Sequence, residues 1–256
     1  MASEKTRAIV LRLVEFSETS LIATLFTEDF GKVGALAKGA RRPKSACEGA
    51  LDLLALIRIV FIRKSSDALD LLTEARLERR FRSAERELPR LYAGYYVGEL
   101  LSELTDMGDP HPELFAAGND ALLALDESAP VAETVLRFEM AALRLLGHWP
   151  SLATCALCGR DVADGDRVPL SMIAGGVLCS ECRPGRRGVA AVSGGVLAAL
   201  RSASEVESAS QWMLEPNLRG ELRGVMNSYF AHLVGHRLHM PPYLGNSPAP
   251  APLADG

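Results

Sequence analysis

The chain has 256 residues, 48% hydrophobic and 23% charged, and a formal net charge of −4, the make-up of a globular protein with room for two packed units and a small appendage. No basic-then-apolar leader opens it and no uncharged apolar run reaches the roughly 18 residues of a spanning helix, so a cytoplasmic protein without a membrane segment is expected. Charge is unevenly shared, with 15 Lys and Arg against 11 Asp and Glu in residues 1–82 and 13 against 21 in the remainder, so the first third suits a polyanion and the acidic remainder repels one.

Thr6–Phe16 (TRAIVLRLVEF) and Ser20–Thr27 (SLIATLFT) are apolar and rich in β-branched residues, and read as strands. The turn signal Glu28-Asp29-Phe30-Gly31 leads to a third, Lys32–Ala37, and Leu53–Ile62 and Asp70–Glu74 supply two more. Five short strands with no helical crossover predict a small closed antiparallel barrel, of which the five-stranded OB-type β-barrel is the nearest standard form.

The segment Gly31–Ser45, GKVGALAKGARRPKS, joins strands three and four. It carries Lys32, Lys38, Arg41, Arg42 and Lys44 and no carboxylate. Gly31, Gly34, Gly39 and Pro43 among them let backbone N–H groups approach phosphates while the long side chains neutralise charge. A solvated basic loop is the other reading that charge alone allows. Gly31-Lys32-Val33-Gly34 matches neither phosphate-binding glycine motif, so ATP binding is not expected.

After Arg82 the apolar period becomes helical. Leu88 to Leu104 forms one helix, broken by Gly108, Pro110 and Pro112; a shorter one follows over about Glu113–Leu125; and Pro130 opens a third, striped by Val131, Val135, Phe138, Ala142, Leu145 and Leu146. Helix resumes at Gly194–Leu200 and again over Asn217–His239, where Leu218, Leu222, Val225, Met226, Tyr229 and Leu233 form a buried stripe. The tail Pro241–Gly256 is proline-rich and is expected to be mostly disordered. The domains are therefore 1–80, 81–240 with an insertion at about 151–188, and the tail 241–256.

Within that insertion, Cys155-x2-Cys158 and Cys179-x2-Cys182 match the spacing of four-thiolate zinc ribbons. Gly159, Gly175 and Gly176 give such knuckles their backbone freedom. Four thiolates saturate a tetrahedral Zn2+, so the site is expected to be structural, with no bound water to activate. Stable disulfides do not suit a cytosolic chain without a leader, and thioredoxin-like redox chemistry belongs beside a βαβ pattern that this sequence does not show. Arg183, Arg186 and Arg187 after the second pair read as solvated surface or as phosphate contacts, and Cys47 as a buried or idle thiol. His232, His236 and His239 share a helical spacing without any accompanying carboxylate, so a second metal site is not expected. No constellation of acid, base and nucleophile is evident, and the chain is not expected to be an enzyme.

The barrel opening AIVLRLVEFSETSLIATLFTEDFGKVGALAKGARRPKS, the helices, the inserted cysteine quartet and the terminal LRGVMNSYFAHLVGHRL together resemble the bacterial DNA repair protein RecO family, in its zinc-ribbon-containing subgroup. The resemblance covers nearly the whole chain. It implies an N-terminal OB fold, an α-helical C-terminal domain, and binding of single- and double-stranded DNA with annealing of complementary strands. It further implies a place in the RecF pathway, loading RecA recombinase together with RecR onto strands coated by single-stranded DNA-binding protein (SSB), whose acidic C-terminal tail is bound by the helical domain. Carried onto this chain, Lys32, Lys38, Arg41, Arg42 and Lys44 are the DNA contacts, the four cysteines hold zinc, and the protein is cytoplasmic and nucleoid-associated. His232, His236, Arg237 and Arg223 suit an acidic, apolar-ended tail by chemistry alone. The departure is aromatic: Phe30 is the only ring at the basic segment, so backbone-dominated, salt-sensitive binding is expected. A zinc-ribbon OB-fold adaptor for RNA or transcription is the rival reading, and a zinc-dependent enzyme ranks below it.

Overall fold

A computed structural model describes residues 3–64, 68–82, 87–205 and 215–244. It divides into two compact units, Met1–Thr134 and Val135–Gly256. The first contains β1 (Ser3–Glu15), β2 (Leu21–Thr27), β3 (Gly31–Ala37), β4 (Leu56–Ile62) and β5 (Asp70–Arg79), followed by α1 (Leu88–Glu103) and α2 (Pro112–Asp126). The strands close into a barrel of order β1-β2-β3-β5-β4, with β4 paired back onto β1.

One seam corrects the expected antiparallel barrel: β3 and β5 run parallel, Ala35–Ala37 against Asp70–Leu72. Parity requires it, because an odd number of strands closed in a ring cannot alternate direction at every interface. Along β3 burial alternates residue by residue, with Val33, Ala35 and Ala37 inward. Small inward residues (Ala8, Ala23, Ala35, Ala75) interdigitate with Leu25, Ile57, Ile59 and Phe61, so the interior is packed and holds no channel. The last strand runs to Arg79, past the expected Glu74, because the charged stretch Ala75–Arg79 is held by pairing with β4.

The helices of the first unit lean on this barrel. Phe115 of α2 meets Phe26 of β2 with ring centroids 6.2 Å apart. Gly31 opens β3 at φ +66, where a Cβ would stand 2.1 Å from the carbonyl oxygen of Asp109; only glycine permits both that dihedral and that approach.

The second unit comprises most of α3 (Val131–Leu145), a small sheet of β6 (Arg167–Ser171), β7 (Gly176–Val177) and β8 (Val189–Ser193), then α4 (Gly194–Glu205) and α5 (Arg219–Val234). The ribbon sheet extends beyond the expected insertion, since β8 pairs with β6 and leads directly into α4. The last helix stops at Val234, short of the expected His239, because Gly235 takes the left-handed conformation at φ +83 and donates its N–H to Ala231 O at 3.1 Å. His236 and His239 thus lie beyond the helix that was to align them with His232. Arg223 lies in the interior of this unit, ion-paired with the fully buried Glu139, and is no surface cation. Pro241–Tyr243 forms a short 3-10 turn with Pro241 buried; the rest of the proline-rich tail, residues 245–256, lies outside the described residues.

Candidate metal centre and nucleic-acid interface

The four cysteines converge. The sulfurs of Cys155, Cys158, Cys179 and Cys182 all lie within 4.8 Å of one another, with Cys158 and Cys179 Sγ 3.7 Å apart. Each pair sits in a tight turn. Gly159, at φ +72, donates to Cys155 O at 2.8 Å to close the first. Cys182 and Arg183 donate to Cys179 O at 3.2 and 3.1 Å in the second. The strands bring the turns together: Leu178 donates to Pro169 O at 2.9 Å, and Ala156 to Val177 O at 2.9 Å, so the second turn follows a paired strand and the first is laid against it.

The sulfurs are not electrostatically equivalent. Backbone N–H groups of Cys179 and Leu157 directed at Cys155 push its thiol down to about 6, while hydrogen bonds that the Cys182 S–H donates to Cys179 and Cys158 push Cys182 up to about 12. One thiolate is favoured by the local backbone, and crowding opposes further ones unless a cation neutralises them. Four soft, mutually adjacent donors fit a metal ion, and the cluster can hold one. The exposed Arg160–Glu181 pair at 2.6 Å links the two turns and contributes little by itself. Cys47 stands apart, 6% exposed against the barrel core, and burial pushes its thiol up.

The basic residues separate into groups. Lys32 belongs to β3, and its Nζ donates to the carbonyls of Ser102 at 2.5 Å and Thr105 at 2.7 Å, where α1 ends. It satisfies carbonyls that the helix leaves unpaired, and burial holds its ammonium below the ordinary lysine range. Lys38, Arg41, Arg42 and Lys44 are exposed in the loop between β3 and β4. Arg41 is bound to Glu15 at 2.7 Å. Among the described residues the side chains of Lys38, Arg42 and Lys44 form no ion pair, although the Glu48 carboxylate accepts from the Lys44 backbone N–H at 3.0 Å.

The loop is held at both ends. Arg41 N–H donates to Thr19 O at 3.0 Å, and Gly39 N–H to Ser20 Oγ at 3.3 Å, which docks the tip of the β1–β2 hairpin against it. At the far end Leu54, at φ +61, donates to Val10 O at 2.8 Å and buries its side chain over Gly94 and Gly98 of α1. The hairpin's part in this surface is invisible in the basic segment itself, because Glu15 comes from the end of β1 and Thr19 and Ser20 from the turn after it. Arg183, Arg186 and Arg187 are exposed beside the ribbon.

A closed five-stranded barrel bearing a cationic loop, followed by helices and a four-thiolate ribbon, defines a two-unit barrel-and-ribbon protein. The chain belongs to the recombination protein O family: the family models described as Recombination protein O N terminal and Recombination protein O C terminal match residues 1–81 and 85–241. It is 44% identical to the DNA repair protein RecO of Rhodopirellula baltica over 262 aligned positions, covering 93% of this chain and 97% of that one. The DNA repair protein RecO of Myxococcus xanthus is 35% identical over 233 positions, 90% of this chain and 92% of its own. That of Moorella thermoacetica is 29% identical over 236 positions, with 91% and 87% covered. No helix among the described residues is long and apolar enough to cross a membrane.

Proposed function

We propose that this protein is a non-catalytic DNA repair and recombination mediator that binds single- and double-stranded DNA through the loop between β3 and β4 and anneals complementary strands. The observation that carries the reading is the set Lys38, Arg42 and Lys44, exposed on a loop pinned at both ends and, among the described residues, engaged in no side-chain ion pair. Arg41 joins them by exchanging Glu15 for phosphate; Lys32, committed to the end of α1, stands outside the contact set.

Residues 1–80 are read as an OB-type DNA-binding domain, which the strand order β1-β2-β3-β5-β4 supports. Residues 81–240 are read as the helical domain carrying the ribbon. The ion of the ribbon is structural Zn2+: Cys155, Cys158, Cys179 and Cys182 would hold it, and four thiolates leave no position for substrate. Annealing needs no hydrolysis. Cations that screen phosphate repulsion on two strands while leaving bases free lower the barrier to pairing.

With RecR, the protein helps to load RecA onto SSB-coated single strands, placing it in the cytoplasm at the nucleoid. The helical domain takes the acidic SSB tail, for which exposed His232, His236 and Arg237 remain the cationic candidates once Arg223 is removed to the interior. The test is annealing of complementary oligonucleotides without nucleotide, as DNA and as RNA. Faster pairing of DNA that vanishes in K38A/R42A/K44A supports the reading; acceleration of RNA alone, or of neither, overturns it.

A further inference from the structure

Phe30, the aromatic nearest the basic segment in sequence, is half-buried and packed against the barrel core. Its ring packs edge-on against Phe61 at 5.4 Å, with the Arg63 guanidinium 5.7 Å from its centroid. The fold supplies a different ring. Phe16, at the tip of the β1–β2 hairpin, is 62% exposed, and its neighbour Glu15 holds Arg41 of the loop.

A single exposed phenylalanine is ordinary on a protein surface; its setting is what distinguishes this one. The hairpin is tied to the loop by Thr19 and Ser20, so the hairpin tip that carries Phe16 is held against the segment that carries Lys38 and Arg42. It also continues an apolar row. Val14, 39% exposed, pairs with Ile22 across β1 and β2, and Ile22 with Leu36 across β2 and β3, all facing away from the barrel core. Cations beside an apolar strip topped by a π-face match a strand whose phosphates and base faces are both accessible. A duplex hides its base faces and offers the strip nothing.

We propose that Phe16 is a base-stacking platform that makes the cationic loop a site for single-stranded nucleic acid. This rests on the reading of the loop as the DNA site and adds to it a discrimination that phosphate contacts cannot supply. Phosphates attract Lys38, Arg42 and Lys44 whether the strand is paired or not; the ring gains only from an unpaired base.

The test uses the full chain as wild type, F16A, F16W and K38A/R42A/K44A, each checked for an unchanged melting profile. Binding is measured to a fluorescent oligo-dT of about 15 nucleotides, within the span of one or two such sites, to an abasic oligomer of equal length, to a duplex, and to an acidic peptide with an apolar end. The expected result is that F16A weakens oligo-dT by about 5-fold or more and leaves the abasic strand, the duplex and the salt slope unchanged, while F16W restores oligo-dT binding. If F16A leaves oligo-dT unchanged, or weakens the abasic strand equally, while the triple variant loses all DNA, the loop is the DNA site and stacking is refuted. If F16A weakens only the peptide, Phe16 is a protein contact and the proposal falls. If no variant alters DNA binding, the loop reading fails and takes this one with it.

Discussion

The barrel and the ribbon are both small sheets, and they are held by different forces. The barrel closes on itself, leaves no free edge, and buries a continuous set of side chains from Ala8 to Ala75. The ribbon sheet has three strands, one of them only Gly176–Val177. It buries Val168, Leu170, Val177 and Val192, and its turns meet at four sulfurs. A sheet this small does not stabilise itself by apolar burial; a metal held by the four sulfurs would cross-link its turns, so that ligand binding would become folding energy. Binding surfaces differ accordingly: the barrel presents a long loop that is anchored by Cys47 and Ala50 in its core, while Lys38, Arg42 and Lys44 stay exposed.

The largest effect that could break this contrast is metal loss. In small zinc peptides the ion contributes about 10–16 kcal/mol, so C155S/C179S is expected to lose bound metal by elemental analysis and amide-exchange protection over residues 155–182. Barrel amides should be unaffected; joint loss of barrel protection would show that the two sheets are not held separately. The reciprocal change is Phe61→Ala. It removes a fully buried ring from the barrel and is expected to cost about 3–5 kcal/mol in denaturant unfolding of the first unit, with metal content unchanged.

A smaller change separates structural from ligand-facing cations. Lys32→Met removes two charged hydrogen bonds at the end of α1 and should cost about 1.5–3 kcal/mol of stability with DNA affinity nearly intact, whereas Lys38→Ala should do the reverse. The smallest concerns acid. Arg7, hydrogen-bonded to Glu28 at 2.6 and 2.8 Å, holds that carboxyl below its ordinary 4.5. The folded state therefore binds the proton less readily than the unfolded one. The pair's contribution is complete above pH 4.5 and is lost as pH falls below it. Because both side chains are partly exposed, Glu28→Gln should remove less than about 1 kcal/mol of the acid limb in pH-dependent melting.

Local patterns carried much of this into the sequence. The turn signal Glu28-Asp29-Phe30-Gly31 marks the start of β3, the paired C-x2-C turns mark the ribbon, and the run from Lys38 to Lys44 marks the cationic loop, each within a few residues. What remained hidden depends on distance or on closure. Lys32 reads like its basic neighbours until the fold brings the end of α1, 70 residues away, onto its ammonium. Arg223 reads as a surface cation until Glu139, 84 residues earlier, is seen to be its buried partner. The parallel seam between β3 and β5 follows from closing five strands in a ring, which no single strand's composition records. The end of α5 was accessible in principle, since Gly235 is a standard stop signal, but the apolar period across Leu233 and Leu238 obscures it.

The loop between β3 and β4 is the proposed DNA contact. The most direct measurement is binding of a single-stranded oligonucleotide across a salt series by the wild type and by K38A/R42A/K44A. Three phosphate contacts on a single strand correspond to a slope of about −2 in log affinity against log salt, so the variant should lose about that much slope and most of its affinity. Unchanged slope and affinity would contradict the account and move the DNA contact away from the barrel loop.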